Sequence, residues 1–488
     1  MKERWLFAGM LLLLLVPLWS VPYLPTTDGP SHVYNAWILR QHGNTEEYPL
    51  FQQHFEIDWR PIPNWFSHAV LALLLFVFDP RTAEKLLLSG YVVLLASSAR
   101  YLAGSVDPER RWLGWLALPL VYNQLLQMGF YNFGFSLAFY LFAVGFWWRH
   151  RSSPGWRMAV GLNLLLLLCW FSHIVSLVLA LASIGVLWLL TERRLLHPLI
   201  LAPQILLPLW FIQDQGKGAV PATWSTDFLW TYLLRLRVLH SFAREQVWIG
   251  TALAVLFLLL AVLTFAGKRR LEGRDGFLLL SLLAAALYIL SPEGMSGGTH
   301  LKNRLSLYPW LLLIPWLAPR GRWVKGIAIA AIALITVVQA WITVRWYRQV
   351  DPEIRELLAA AEPVAPDSRV LPLMFKRNAP AGGPGVLGHA LDYAAAEKGW
   401  VDWGNYEAMT GHFPVRFRRG VGLSDIFTLE AHPGQLNLRA YKGRTDYVFT
   451  WKMPPDSRMA RQLNQHFRFL EERGPGRVYR RKGRVMRE

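Results

Sequence analysis

Apolar runs of roughly 17–25 residues, the length a helix needs to cross a hydrocarbon core of ~30 Å, recur over most of the chain. After an opening run in "MKERWLFAGMLLLLLVPLWSVPYLP" they fall near 63–79, 85–103, 112–127, 130–148, 156–172, 175–190, 195–212, 247–266, 276–291, 304–318 and 324–346. Their length predicts spanning helices, since a transmembrane barrel reads as short alternating segments. Lys and Arg gather between them in "WWRHRSSPGWR", "TERR", "AGKRRLEGR" and "APRGRWVK", and placing these clusters in the cytoplasm gives alternating crossings from 130 onward. Counting both 63–79 and 112–127 as crossings would put "WWRHR" on the wrong side, so one of the two does not cross. The run at 112–127 contains Pro119, Asn123 and Gln124 and is the expected re-entrant or interfacial segment. About eleven spans result.

The opening run has a basic start and lacks a small-x-small cleavage site, which predicts an uncleaved first span with its start in the cytoplasm. Residues 25–62 then form a first outer loop carrying Asp28, Glu46, Glu47, Glu56 and Asp58, and the same scheme puts 213–246 and "SPEGMSGGTHLKNR" on that outer side. Past Tyr347 the long apolar runs stop and Gly, Pro and charges become frequent. "SRVLPLMF" and "TDYVFTW" read as short buried strands, "PDSRMARQLNQHFRFLEE" as an amphipathic helix and "GRVYRRKG" as an edge strand. The expected fold class is therefore mainly α, a polytopic helical membrane domain over 1–350 with a small extracytoplasmic α/β soluble domain over 351–488.

Composition agrees: 53% of the 488 residues are hydrophobic, 14% aromatic and 24 are Trp, and the mean hydropathy is +0.24. A formal charge of +18 does not point to nucleic acid, because orientation signals account for most of it and the basic tail "RGPGRVYRRKGRVMRE" suits solvent or lipid headgroups. Cys169 is the single cysteine, which excludes a disulfide framework or thiolate metal cluster within one chain. The glycines of "NAPAGGPGVLGHA" lack the strand-to-helix context of a dinucleotide site, and no internal repeat of the transporter kind is found. The default location is a bacterial inner membrane, crossed many times.

Candidate chemistry begins in "TTDGPSHVYNAWIL", where Asp28 follows the first span closely enough to meet a lipid headgroup. Asp-Gly-Pro is also a turn and helix-start signal. In a helix over 30–40, Ser31 and Asn35 are four apart, while His32 and Tyr34 lie on different faces; His32 reaches Asp28 only through the turn. Glu56 and Asp58 are the candidates for a second carboxylate. A second constellation is "GGTHLKNRLSLYPWLLLIPWL": His300, Lys302 and Arg304 suit a phosphate, and positive charge on the outer side asks for a reason. Asn123 and Asn132, in "YNQLLQMGFYNFGF", suit a sugar, and the "VDWGNYEAMTGHFPV" loop, with aromatics beside Asp402 and Glu407, is a carbohydrate-surface candidate. His173, inside an apolar segment, is read as a satisfied polar group of the bundle.

With these residues placed, the chain resembles the GT-C superfamily of multi-spanning glycosyltransferases, such as the protein O-mannosyltransferases and the aminoarabinose transferases of lipid A. The resemblance is architectural: an initial span, a first outer loop with an early acid, many helices and an outer C-terminal domain. It implies a polyprenyl-phosphate-linked sugar as donor, a lipid, glycan or protein acceptor, Asp28 as catalytic base or as ligand to a divalent metal ion, and Arg304, with His300 and Lys302, against the donor phosphate. Where several members have two adjacent acids, this chain has Asp28 followed by Gly29. A transporter and a membrane scaffold without catalytic activity are the other classes that fit the composition; the candidate groups gather at one surface instead of mid-membrane, which favours the transferase.

Overall fold

The computed structural model describes residues 2–215, 221–268, 270–295, 298–422 and 425–482. Residues 216–220 and 296–297 of the segments expected on the outer side, Arg269 of a cluster expected in the cytoplasm, 423–424 and 483–488 of the basic tail lie outside the described residues. The chain divides into two compact units: one of Met1–Trp19, Ile62–Phe66 and Leu88–Arg345, the other of Ser20–Pro61, Ser67–Leu87 and Trp346–Glu488.

Among the described residues, five helices are long and apolar enough to cross a membrane: Pro80–Val106, Ile174–Thr191, Leu196–Asp214, Gln246–Ala266 and Arg322–Ala360. Apolar helices Trp156–Ser172 and Asp275–Leu290 are shorter. Helix Tyr131–His150 is buried around most of its circumference, the mark of a helix at the centre of a bundle. Gly114 is required by a close approach in this unit: a Cβ there would lie 2.3 Å from the Arg100 backbone. Cys169 is buried, so it is packed and does not face lipid. His173 starts helix Ile174–Thr191, its Nδ1 accepting from Val175 N at 3.2 Å.

Two of the segments counted toward about eleven spans, 63–79 and 304–318, are not single helices of spanning length, and 112–127, expected as a re-entrant or interfacial segment, is broken as well. The run at 63–79 contains only the nine-residue helix Phe66–Leu74, about 14 Å long, and ends where Asp79 accepts from the N–H groups of Arg81 and Thr82 to start the next helix. The run at 112–127 overlaps a 3₁₀ stretch, Pro108–Ala117, and the four-residue helix Gln124–Gln127; Pro119 and the capping Asn123 separate them. The run at 304–318 is broken into Leu301–Leu305, Tyr308–Leu313 and Ile314–Trp316, with Pro309 and Pro315 in the first turns of the last two.

The second unit is built on strands β1 (Phe55–Ile57), β2 (Arg369–Met374), β3 (Val401–Asp402), β4 (Val415–Phe417), β5 (Tyr447–Trp451), β6 (Phe467–Arg473) and β7 (Gly476–Arg481). Five of them form one sheet in the order β3-β2-β5-β7-β6. β2 runs parallel to β3 and β5, and β7 antiparallel to β5 and β6. The nearly continuous apolarity of β2 and β5, interrupted by Arg369 at the start of one and Thr450 in the other, suits strands covered on both faces. Two expectations change. The segment "PDSRMARQLNQHFRFLEE" is helical only over Arg458–His466 and then becomes β6. "GRVYRRKG", expected at an edge, is β7 and lies between β5 and β6, because the Gly474-Pro475 turn folds β6 back along its outer side. A separate ribbon joins β1 to β4, with Phe55 opposite Phe417 and Ile57 opposite Val415, so the first outer loop and the C-terminal segment share one unit.

Candidate functional site

Asp28 precedes helix Gly29–Gln41, whose first turn holds Pro30. The Asp28 carbonyl accepts the His32 N–H at 3.1 Å, but its carboxylate makes no capping bond. The side chain is therefore not committed to the turn that its sequence context suggests. It is 15% exposed and lies 3.9 Å from His389 Nε2, with Tyr406 beside it. Burial pushes its pKa up to about 7, against the nearby His32 charge and with help from Glu407 and Glu430.

One helical turn on from Asp28, His32 meets two residues distant in sequence. His32 Nδ1 is 2.8 Å from Glu407 Oε1, His68 Nε2 is 2.8 Å from Glu407 Oε2, and the two ring nitrogens are 3.3 Å apart. All three side chains are buried, and the Phe413 ring packs on both imidazoles. Helix Phe66–Leu74 presents His68. Asn405 caps the short helix that presents Glu407, its Oδ1 accepting from Ala408 N at 3.2 Å.

Two imidazoles and a carboxylate are a donor set for a divalent cation. Two nitrogens bound at ~2.1 Å with tetrahedral angles stand about 3.4 Å apart, close to the separation found. Held by protons alone, both rings must aim N–H groups at one carboxylate, and those groups crowd each other; a cation replaces them with a single positive centre. His32, His68 and Glu407 thus form a candidate three-residue metal-binding site. Burial opposes ionisation of Glu407, but His32 and His68 outweigh it and hold the carboxyl at about 2. Asn35 supports the trio, donating to Glu407 Oε2 at 3.1 Å and to Asn405 Oδ1 at 3.1 Å, the kind of outer bond that fixes a ligand's orientation. Asp28, expected as a possible metal ligand, is not a member of this trio.

Behind the trio, Ser31 Oγ donates to Asp392 Oδ2 at 2.5 Å. Burial, then the neighbouring Asp402, raises the Asp392 pKa well above the ordinary carboxyl range; burial raises Asp402 to about 6. Asp402 and Glu407, the acids of the loop read as a carbohydrate-surface candidate, are buried and do not lie on an open outer surface.

The other expected residues have definite places. Tyr34 is buried, donating to the Trp400 carbonyl and accepting from Asp402 N at 3.2 Å. Glu56 is exposed on β1, opposite Arg416. Asp58 is held between Arg60 at 2.9 Å and Arg416 at 2.5 Å. In the other unit, Asn123 caps a helix through Leu126 N at 3.1 Å, and Asn132 donates to the Asn64 carbonyl at 3.1 Å. Lys302 donates to the Ser225 carbonyl at 2.6 Å, His300 is 3.8 Å from Glu293, and the Arg304 guanidinium lies 4.5 Å from the Phe130 ring centre. Sequence reasoning missed His68, His389, Arg377 and Glu430. Only His68 left a signal, as a polar side chain inside an apolar run.

The fold is shared with a protein already solved. ArnT from Cupriavidus metallidurans aligns over 97% of each chain, with a TM-score of 0.50 and 13% identity in the structure bound to undecaprenyl phosphate, and 0.52 and 12% in the apo state. This is the GT-C fold expected from the sequence. No protein-family model matches the chain, and a search of curated proteins finds no match.

Proposed function

We propose that the protein is an integral membrane glycosyltransferase that moves a sugar from a polyprenyl-phosphate donor to an acceptor hydroxyl on the extracytoplasmic face of a bacterial inner membrane. The observation that carries this reading is Asp28: an uncapped, largely buried carboxyl whose pKa near 7 suits a general base at neutral pH. The shared fold with ArnT, solved with undecaprenyl phosphate, supports the donor class.

In this mechanism Asp28 takes the proton from the acceptor hydroxyl while its oxygen attacks the anomeric carbon. The sugar–phosphate bond breaks and the polyprenyl phosphate departs with the electron pair, so a single displacement inverts the anomeric configuration. Tyr406, beside the Asp28 carboxyl, is proposed to orient it. A divalent cation held by His32, His68 and Glu407 would supply positive charge for anionic oxygens. Arg304 is proposed to contact the donor phosphate, with His300 and Lys302 beside it.

The test is release of polyprenyl phosphate and labelled product from a panel of radiolabelled undecaprenyl-phosphate sugars, using full-length protein in membranes. Protein-dependent transfer of at least one sugar is expected, with Asp28→Asn and Arg304→Ala both inactive at matched protein levels. A panel that yields no transfer removes the reading; transfer insensitive to Arg304→Ala removes only the phosphate contact.

A further inference from the structure

A small open recess lies in the second unit, lined by Arg377, His389, Asp402 and Glu430, with Pro372 and Leu429 among its apolar walls. His389 in this wall is the residue that stands 3.9 Å from Asp28. Glu430 Oε1 is buried and accepts no hydrogen bond; His389 Nε2, at 3.8 Å, is beyond hydrogen-bond reach. A buried carboxylate oxygen left in this way calls for a donor from outside the protein. Arg377 stands 3.5 Å from Glu430 Oε2 and donates to His389 Nε2 at 3.1 Å, and a guanidinium has more N–H donors than these contacts use. Gly388 is part of the construction: a Cβ there would lie 2.5 Å from Arg377 Nε. The Tyr406 ring packs on His389 with centres 5.0 Å apart.

The charges restrict what fits. Two carboxyls, Asp402 and Glu430, line the recess with one guanidinium, and Asp28 adds a third acid nearby. Burial and Arg377 push the His389 pKa down to about 3, so its ring is neutral. An anionic group would enter against this surplus. A pair of hydroxyls matches it, because each hydroxyl donates to a carboxylate and accepts from a guanidinium. We propose that this recess is the acceptor subsite and that it takes a neutral polyhydroxyl group, a carbohydrate, in place of a phosphate. The proposal rests on the transferase reading above and adds the acceptor's chemical class.

The test is donor-free, so that it fails separately from transfer. Saturation-transfer NMR on the full-length protein in detergent would use mannobiose, galactobiose and the N-acetylglucosamine dimer as neutral probes, with glucose 1-phosphate and glucosamine as charged ones. Saturable binding of a neutral probe is expected, weakened about tenfold or more by Glu430→Gln and by Arg377→Met. Thermal melting of each variant checks folding; if Glu430→Gln does not melt cooperatively, Arg377→Met carries the test. Absence of saturable binding by every neutral probe, preference for either charged probe, or binding indifferent to the substitutions overturns the proposal. Glu430-dependent sugar binding without transfer from any donor would remove the transferase reading and with it the word acceptor. Transfer unaffected by Glu430→Gln would remove the subsite and leave the transferase.

Discussion

Asp28→Asn keeps the size of the side chain and deletes its charge, so it separates what the acid costs the fold from what it does for the reaction. The folded pKa is raised from 3.8 to about 7, so the protonated carboxyl is the stabilising form. Its contribution is fully present below the unfolded value and is lost as pH rises through about 7. Asp28→Asn is therefore expected to be more stable than wild type at about pH 8, by no more than roughly 4 kcal/mol, with the difference gone near the unfolded value. Denaturation at the two pH values reads this directly; equal stability at both would mean that Asp28 is not held in a desolvated place. The metal trio makes a second prediction. Metal analysis of protein purified without chelator should find bound divalent cation in wild type and none in His68→Ala or Glu407→Gln, while Asn35→Ala, which removes only the outer bond, weakens affinity about 10–100-fold. Wild-type protein free of metal after growth in metal-replete medium would reduce the trio to a hydrogen-bonded cluster.

At the scale of elements, periodicity read strands well where burial is two-sided and failed where an apolar run ends early. β2 and β5 were legible because their residues are apolar almost without interruption. The hairpin of β6 and β7 was not, because "HFRFLEE" carries helix-forming Leu and Glu within a segment whose amphipathic start is truly helical. That correction is testable. Val478→Pro on β7, paired on both sides with β5 and β6, should cost about 3 kcal/mol or more. Leu470→Pro, at the irregularity between Phe469 and Glu471 on the edge strand β6, should cost much less. Thermal melting in detergent compares them, and equal losses would contradict the strand order. The segments at 63–79 and 304–318 were read as single spans for a related reason: hydropathy registers composition, whereas Pro309, Pro315 and the cap at Asp79 decide where helices stop.

At the scale of the molecule, the sequence made the membrane character, the C-terminal α/β region and the importance of the segment after the first helix legible. It did not reveal that this segment shares a unit with residues 346–488. The pairing of Asn35 with Asn405 spans 370 positions, and no local pattern announces so long a contact. Asp28 was found by position, and His32 and Asn35 by proximity to it. Glu407 was noticed for the wrong reason, as a surface acid, and it is the residue that gathers both histidines. The central claim is that this unit carries the general base of a glycosyl transfer. Its most direct test is the pH–rate profile of purified full-length protein with whichever undecaprenyl-phosphate sugar proves active, wild type against Asp28→Asn. The account predicts a wild-type rate that climbs with pH and levels above about 7, with Asp28→Asn about 10²–10⁴-fold slower and without that rise. An Asp28→Asn protein that transfers at the wild-type rate with the same profile would contradict it.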